Sequence, residues 1–389
     1  MLKIINGKLI TDRILEADLY VEHGKIAAIT SEALPCDQVI DAEGAYVSPG
    51  FIDLHVHGGG GADFMDGGVE PILQAAKTHR KHGTTTIYPT TITAPMETVK
   101  RFFADVRTAA AQPDMPHIGG VHMEGPYIAD SQAGAQDRRF ITDPVPADYE
   151  ELVAAADGIL KRWAYAPERP GSEAFSAYIQ QHGIVPAIGH SDAAYEDVMK
   201  AYECGVRNMT HFYSGMSGLT RRDGYRVLGT IETGYLLDDM NVEVIADGIH
   251  LPPELLRLIY KGKGKDRICL ITDAMRGADM PEGDSMIGPI GNGVPCIIEG
   301  GIAKMPDRTC FAGSVATTDR LVRTFHKMAG GDLVSCVQMV TKNPAAVMGL
   351  TNVGQLKVGY DADLLIFDED INVGTVILKN GDDVNIYHN

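Results

Sequence analysis

Apolar and polar positions alternate in short runs at both ends of the chain. Leu2-Lys3-Ile4-Ile5, Ala17–Val21 and Lys25–Ile29 are divided by Asn6-Gly7 and His23-Gly24, dipeptides that suit tight turns between strands. The same period returns in Ala362–Phe367 and in Thr375–Leu378, just ahead of Asn380-Gly381. This pattern predicts a small β-sandwich assembled from residues 1–48 and 351–389. Between the two ends the pattern changes. Short apolar strands alternate with helical stretches such as Val69–His82, Pro95–Ala111, Glu173–His182 and Ala194–Cys204, as in a parallel α/β fold. The strand candidates are Phe51–His57, Thr85–Thr93, Ile118–Glu124, Leu160–Glu168, Ile184–His190, Arg207–His211, Val242–Asp247 and Ile268–Asp273. Eight such strands close a (β/α)₈ TIM barrel, here expected over residues 49–350, and barrels of this kind do their chemistry at the strands' C-terminal ends. Gly58–Gly61 follows a strand, but no Lys-Ser/Thr pair follows it, so a nucleotide-phosphate loop is not expected.

Composition narrows the possibilities. The 389 residues are 44% hydrophobic and 22% charged, which is the balance of a globular protein with a substantial core. No apolar run approaches the ~18 residues of a membrane span. The net charge of −18, from 34 basic and 52 acidic residues, argues against a nucleic-acid partner. A small anionic substrate remains compatible if cations and backbone N–H groups gather locally. The six cysteines are scattered without framework spacing, and the first residues lack a signal-peptide pattern. Both features predict a cytoplasmic protein with reduced thiols.

The strand ends carry the candidate chemistry. They read His55-Val56-His57, His122-Met123-Glu124, Gly189-His190, Thr210-His211 and Thr272-Asp273. Side chains at i and i+2 share one face of a strand, so His55 and His57 point together into the barrel mouth. Glu124, His190, His211 and Asp273 hold equivalent positions on other strands. Imidazoles with carboxylates form a ligand set for zinc or a similar transition metal, unlike the all-oxygen sites of calcium.

Pro49–His57 is similar to the opening motif of the amidohydrolase superfamily. Together with Gly120–Tyr127, Gly189–Asp192, Thr210–Met216, Ile245–His250 and Ile271–Ala274, it resembles the N-acetylglucosamine-6-phosphate deacetylase family over nearly the whole chain. The resemblance implies a metal-dependent hydrolase acting on an N-acetyl amino-sugar 6-phosphate. Glu124, His190 and His211 would hold one divalent metal, and His55 and His57, with Glu124 bridging and Asp273 at the edge, a second. Some relatives lack the His-x-His pair and use one metal; this chain keeps it, so one or two ions per subunit are expected, zinc first, with iron, cobalt or manganese as alternatives. Asp273 would act as the catalytic base and then as the acid. Backbone N–H groups at Ser214 and Gly215 would face the phosphate, His250 would contact the substrate, and Arg222 would reach the phosphate from the neighbouring subunit of a homodimer.

Three positions depart from the family. Gln136 stands where a histidine usually bonds the scissile carbonyl, and Ser214-Gly215 replaces a usual Asn-Ala. The loop Met275–Thr309 is rich in glycine and methionine and reads as a flexible lid or a hairpin. These changes surround the substrate and leave the metal ligands intact. The competing expectations are an amidohydrolase for N-acyl or cyclic amides without a phosphate requirement, and a barrel that has lost its chemistry and only binds.

Overall fold

The computed structural model describes residues 1–389. Eight parallel strands surround one core: β1 (Phe51–Val56), β2 (Thr84–Pro89), β3 (Val121–Glu124), β4 (Leu160–Tyr165), β5 (Val185–Ile188), β6 (Asn208–Met209), β7 (Asn241–Val244) and β8 (Ile268–Leu270). β1 pairs with β2, and β3 through β8 pair in sequence. His117–Ile118, just before β3, pairs in parallel with β2, and single parallel bridges, Thr90 to His122 and Val56 to Ala274, complete the closure. The fold is therefore the TIM barrel that the eight-strand pattern predicts. The ladders are shorter than the apolar runs because the chain turns out of them at the chemically active ends. His190, His211 and Asp273 take φ of 48°, 25° and 48°, in the left-handed region that side chains other than glycine enter only when their surroundings hold them there.

The helices outside the barrel form where apolar residues recur at helical spacing. In Met96–Ala110 the buried positions are Val99, Phe102, Phe103, Val106 and Ala109, one continuous face laid on the barrel. In Thr318–Ala329, Leu321, Val322, Phe325 and Ala329 do the same.

Both termini build the second module. A four-stranded sheet is ordered Lys25–Thr30, Asp18–Glu22, Leu2–Ile5 and Gln38–Asp41. A six-stranded sheet is ordered Asp383–His388, Val373–Asn380, Leu364–Phe367, Tyr46–Pro49, Lys8–Ile10 and Ile14–Glu16. The strand Leu364–Phe367 is buried on both faces. Leu364 and Ile366 join the sandwich core with Leu2, Ile4 and Leu19, whereas Leu365 and Phe367 join the barrel core beside Phe51. The two-residue period of a strand thus ties the module to the barrel.

The segment after β8 is an ordered antiparallel meander, Gly283–Ile287, Val294–Glu299 and Ile302–Lys304. Of the two readings of Met275–Thr309, the hairpin is the one observed. Ile287, Cys296, Ile298 and Ala303 are buried in the main core. Arg276 fastens the meander, bonding Asp66 at 2.9 Å and the carbonyls of Met286 and Gly288 at 3.0 and 2.7 Å.

Leu365→Ala should lower the unfolding free energy by about 2–5 kcal/mol, the usual loss when a fully buried leucine leaves a cavity. Denaturant unfolding measures it. A loss below about 1 kcal/mol would contradict a core shared between module and barrel.

Candidate active site

The C-terminal ends of β1, β3, β5, β6 and β8 deliver six ligand-type side chains to one point. Glu124, the last residue of β3, is central. Its Oε1 lies 2.7 Å from His211 Nε2, 3.0 Å from His190 Nε2 and 3.5 Å from His55 Nε2. Its Oε2 lies 3.4 Å from His57 Nε2. Asp273 Oδ1 closes the far side, 3.1 Å from His57 Nε2 and 3.4 Å from His55 Nε2. The two histidine nitrogens of β1 are themselves 3.1 Å apart.

These separations bear on whether a metal fits. Four ligands about 2.0–2.1 Å from a tetrahedral zinc ion stand roughly 3.3 Å from one another. Two trios satisfy that scale, His55–His57–Glu124 and Glu124–His190–His211, with all ligand atoms of a trio within 4.8 Å. The outer ring nitrogens agree. His190 Nδ1 bonds the Gln132 carbonyl at 2.7 Å, His211 Nδ1 the Ser214 carbonyl at 3.0 Å, and His55 Nδ1 the Thr210 hydroxyl at 2.9 Å. A carbonyl can only accept, so His190 and His211 donate from Nδ1 and are held with Nε2 turned to Glu124. His57 Nδ1 is buried without a partner.

Electrostatics describe the same cluster with protons in place of metal. Burial works against charge at Glu124, Asp273, His57 and His211, but the ion pairs outweigh it. Glu124 is held well below the usual carboxylate range by His55 and His190, and Asp273 is lowered by His55 and His57. Bonds to Asp273 and Glu124 raise His57 to about 10, and Glu124 also raises His211. A divalent ion would replace these protons as the counter-charge of the two carboxylates.

A cavity of about 490 Å³ opens over the cluster. His57, Glu124, His190, His211 and Asp273 lie in its wall, as do Gln136, Ser214, Gly215 and His250. Gln136 is buried and already engaged: its NH₂ donates to Glu124 Oε2 at 2.6 Å and its carbonyl accepts from the Thr93 N–H at 2.7 Å. Ser214 departs from the expected role, because its N–H closes the turn onto the His211 carbonyl at 2.8 Å. His250 bonds Asp247 through Nδ1 at 2.8 Å and lies edge-on to Phe311, ring centres 4.8 Å apart. Arg222 is not in this wall. It sits on an exposed hairpin, Thr220–Arg222 paired with Tyr225–Val227, outside its own subunit's cavity.

The model of the family described as Amidohydrolase family matches residues 46–387. The chain belongs to the amidohydrolase superfamily. Within it, the chain is 33% identical to N-acetylglucosamine-6-phosphate deacetylase of Lysinibacillus sphaericus, over 91% of this chain and 90% of that one. That degree of likeness makes it a member of the deacetylase family. It is also 30% identical to N-acetylgalactosamine-6-phosphate deacetylase of Escherichia coli O157:H7, over 93% of each chain. The crystal structure of N-acetylglucosamine-6-phosphate deacetylase from Pasteurella multocida superimposes with a TM-score of 0.91 at 27% identity, covering 100% of both chains. Members of the amidohydrolase superfamily depend on divalent metals, and the two trios are this member's candidate ligands.

Sequence reading missed part of this amidohydrolase's cavity wall. Lys304, Arg308, Thr309 and Phe311 come from the end of the meander, where no periodicity marked them. It also passed over Thr210, Arg162 and Glu243 beneath the cluster. For Arg162 and Glu243 a signal existed, since a charged residue inside an apolar strand is unusual.

Glu124→Gln should bind metal far more weakly than wild type, because the carboxylate common to both trios is lost; elemental analysis after dialysis measures this. Metal binding should also release protons near neutral pH and weaken as pH falls, since His57 has to lose a proton that its site favours up to about 10. Calorimetric titration in buffers of different ionisation enthalpy counts those protons. A pH-independent affinity with no proton release would contradict the assignment.

Proposed function

We propose that this chain removes the acetyl group from N-acetylglucosamine 6-phosphate, giving acetate and glucosamine 6-phosphate. The observation that carries the reading is the meeting of His57, Glu124, His190, His211 and Asp273 at one cavity, with His55 buried directly behind them, in a chain that resembles deacetylases over nine-tenths of its length. Residues 49–350 form the catalytic barrel, and 1–48 with 351–389 the supporting sandwich. The metal is zinc, with one or two ions per subunit held by the two trios.

A bound divalent ion polarises the amide carbonyl and acidifies the attacking water. The rest falls to side chains. Asp273 is the catalytic residue: ionised at neutral pH, it takes the proton from the attacking water and returns it to the departing amine. Gln136, through its bond to Glu124, sets one carboxylate oxygen and stands where its NH₂ can turn to the substrate carbonyl. His250 and Phe311 bracket the sugar on one side of the cavity. The Gly215 N–H faces the phosphate, and Arg222 reaches it from a second copy of the chain, in a homodimer that places this exposed hairpin over its neighbour's cavity. The free cysteines fit a reducing cytoplasm.

The comparisons also carry a second sugar, since the galactosamine relative is nearly as similar as the glucosamine one. Acetate release from the two epimeric 6-phosphates and from unphosphorylated N-acetylglucosamine tests the proposal. The glucosamine phosphate should be the best substrate. Preference for the galactosamine epimer would change the sugar, and equal rates with and without phosphate would favour a general N-acyl hydrolase.

Asp273→Asn should lose several orders of magnitude in kcat, because an amide cannot accept the proton. Retention of more than about a tenth of the rate would remove Asp273 from the chemistry. Arg222→Ala should raise KM for the phosphorylated substrate and leave the unphosphorylated one unaffected, as expected for a lost charge-assisted contact. Equal effects on both would mark Arg222 as structural.

A further inference from the structure

Below the cluster, the barrel interior holds a chain of polar groups with no route to solvent. His55 Nδ1 is 2.9 Å from Thr210 Oγ1. That hydroxyl donates to Glu243 Oε2 at 2.7 Å, and Glu243 Oε1 lies 2.5 Å from Arg162 Nη2. Arg162, Glu243, Thr210 and His55 are at most 2% exposed. A charge pair in a barrel core is expensive to desolvate, and Arg162 recovers none of that in side-chain hydrogen bonds: its Nε, Nη1 and Nη2 find no aligned partner, and neither does Glu243 Oε1. Its contribution is charge, set directly against the Glu243 carboxylate.

That charge has a directional consequence. A carboxylate can only accept, so the single Thr210 O–H points to Glu243. The Thr210 oxygen then presents a lone pair to His55, and His55 must place a proton on Nδ1. With Nδ1 holding that proton, Nε2 is the nitrogen able to offer a lone pair to a metal ion, and it lies 3.1 Å from His57 Nε2 and 3.5 Å from Glu124 Oε1. His57 has no such support, because its Nδ1 is unpartnered. His55 is therefore the fixed ligand of its trio.

We infer that Arg162, Glu243 and Thr210 form a positioning relay that locks the tautomer of His55 and so readies the His55–His57–Glu124 trio for a metal ion. This rests on the reading of the cluster as a metal site. The relay makes no contact with the Glu124–His190–His211 trio's outer nitrogens, which are held by the Gln132 and Ser214 carbonyls. The two metal positions should consequently respond differently to its loss.

The test is zinc titration of metal-stripped wild type, Thr210→Val and Thr210→Ser, read by a competing chelator and by elemental analysis. Wild type should bind two ions. Thr210→Val, which keeps the side chain's shape and loses the hydroxyl, should weaken one ion 10–100-fold, the usual effect of removing an outer partner of a metal-bound histidine, and leave the other unchanged. Thr210→Ser should restore it. Unchanged affinities in Thr210→Val, equal weakening of both ions, or a wild type that saturates with one ion would overturn the inference. A measurement on unsubstituted protein guards against a variant that fails to fold. Nitrogen-15 spectra of histidine-labelled, metal-stripped wild type should show a proton on His55 Nδ1, and a bare Nδ1 would overturn the relay. Two bound ions without acetate release would count against the proposed function and leave the relay standing.

Discussion

The structure depends on a carboxylate that cannot be buried alone. Glu124 is 2% exposed and meets four imidazoles at the mouth of the barrel, with Asp273 beside it. Two carboxylates withdrawn from water need compensating positive charge, and unpaired burial of one ion carries a penalty of several kcal/mol. Without metal that charge is protons on His57 and His211; with metal it is the ion. The same geometry therefore provides a binding site and the driving force to fill it. Three strand ends adopt left-handed backbone to point their side chains at this centre. The surrounding ladders, the fastened meander and the shared strand Leu364–Phe367 hold those conformations in place.

Around that centre, the layers differ in how firmly they are fixed. The metal ligands are buried and held by outer bonds. The cavity wall draws on loops after β3, β6, β7 and β8, including the three-stranded meander, and there the chain departs from its family. The buried ligands keep the family pattern, and the departures surround the cavity. Relatives of similar identity are deacetylases of two different amino-sugar 6-phosphates.

Much of this was legible in the sequence. The split sandwich follows from period-two alternation at the two ends, the eight barrel strands from apolar runs alternating with helical stretches, and the six convergent side chains from polar residues at strand ends. What escaped is equally physical. Gln136 read as the residue standing where a histidine usually bonds the scissile carbonyl, and spacing alone does not show that its NH₂ also bonds Glu124 or that its carbonyl accepts from Thr93. Ser214 read as a phosphate-facing amide, yet a turn whose closing bond uses its N–H has no local sequence mark. Met275–Thr309 read as a flexible lid or a hairpin, and what decides for the hairpin, the buried Arg276 that ties it to Asp66, is a long-range contact with no local mark.

The central claim is that amide hydrolysis here is carried out at metal held by these ligands. Its most direct test is to strip the protein of metal, add zinc back in steps, and follow acetate release from N-acetylglucosamine 6-phosphate at each step. The account predicts a negligible rate in the stripped protein and a rise that levels off at one or two equivalents per subunit. Full activity in protein shown by elemental analysis to hold no metal would contradict it.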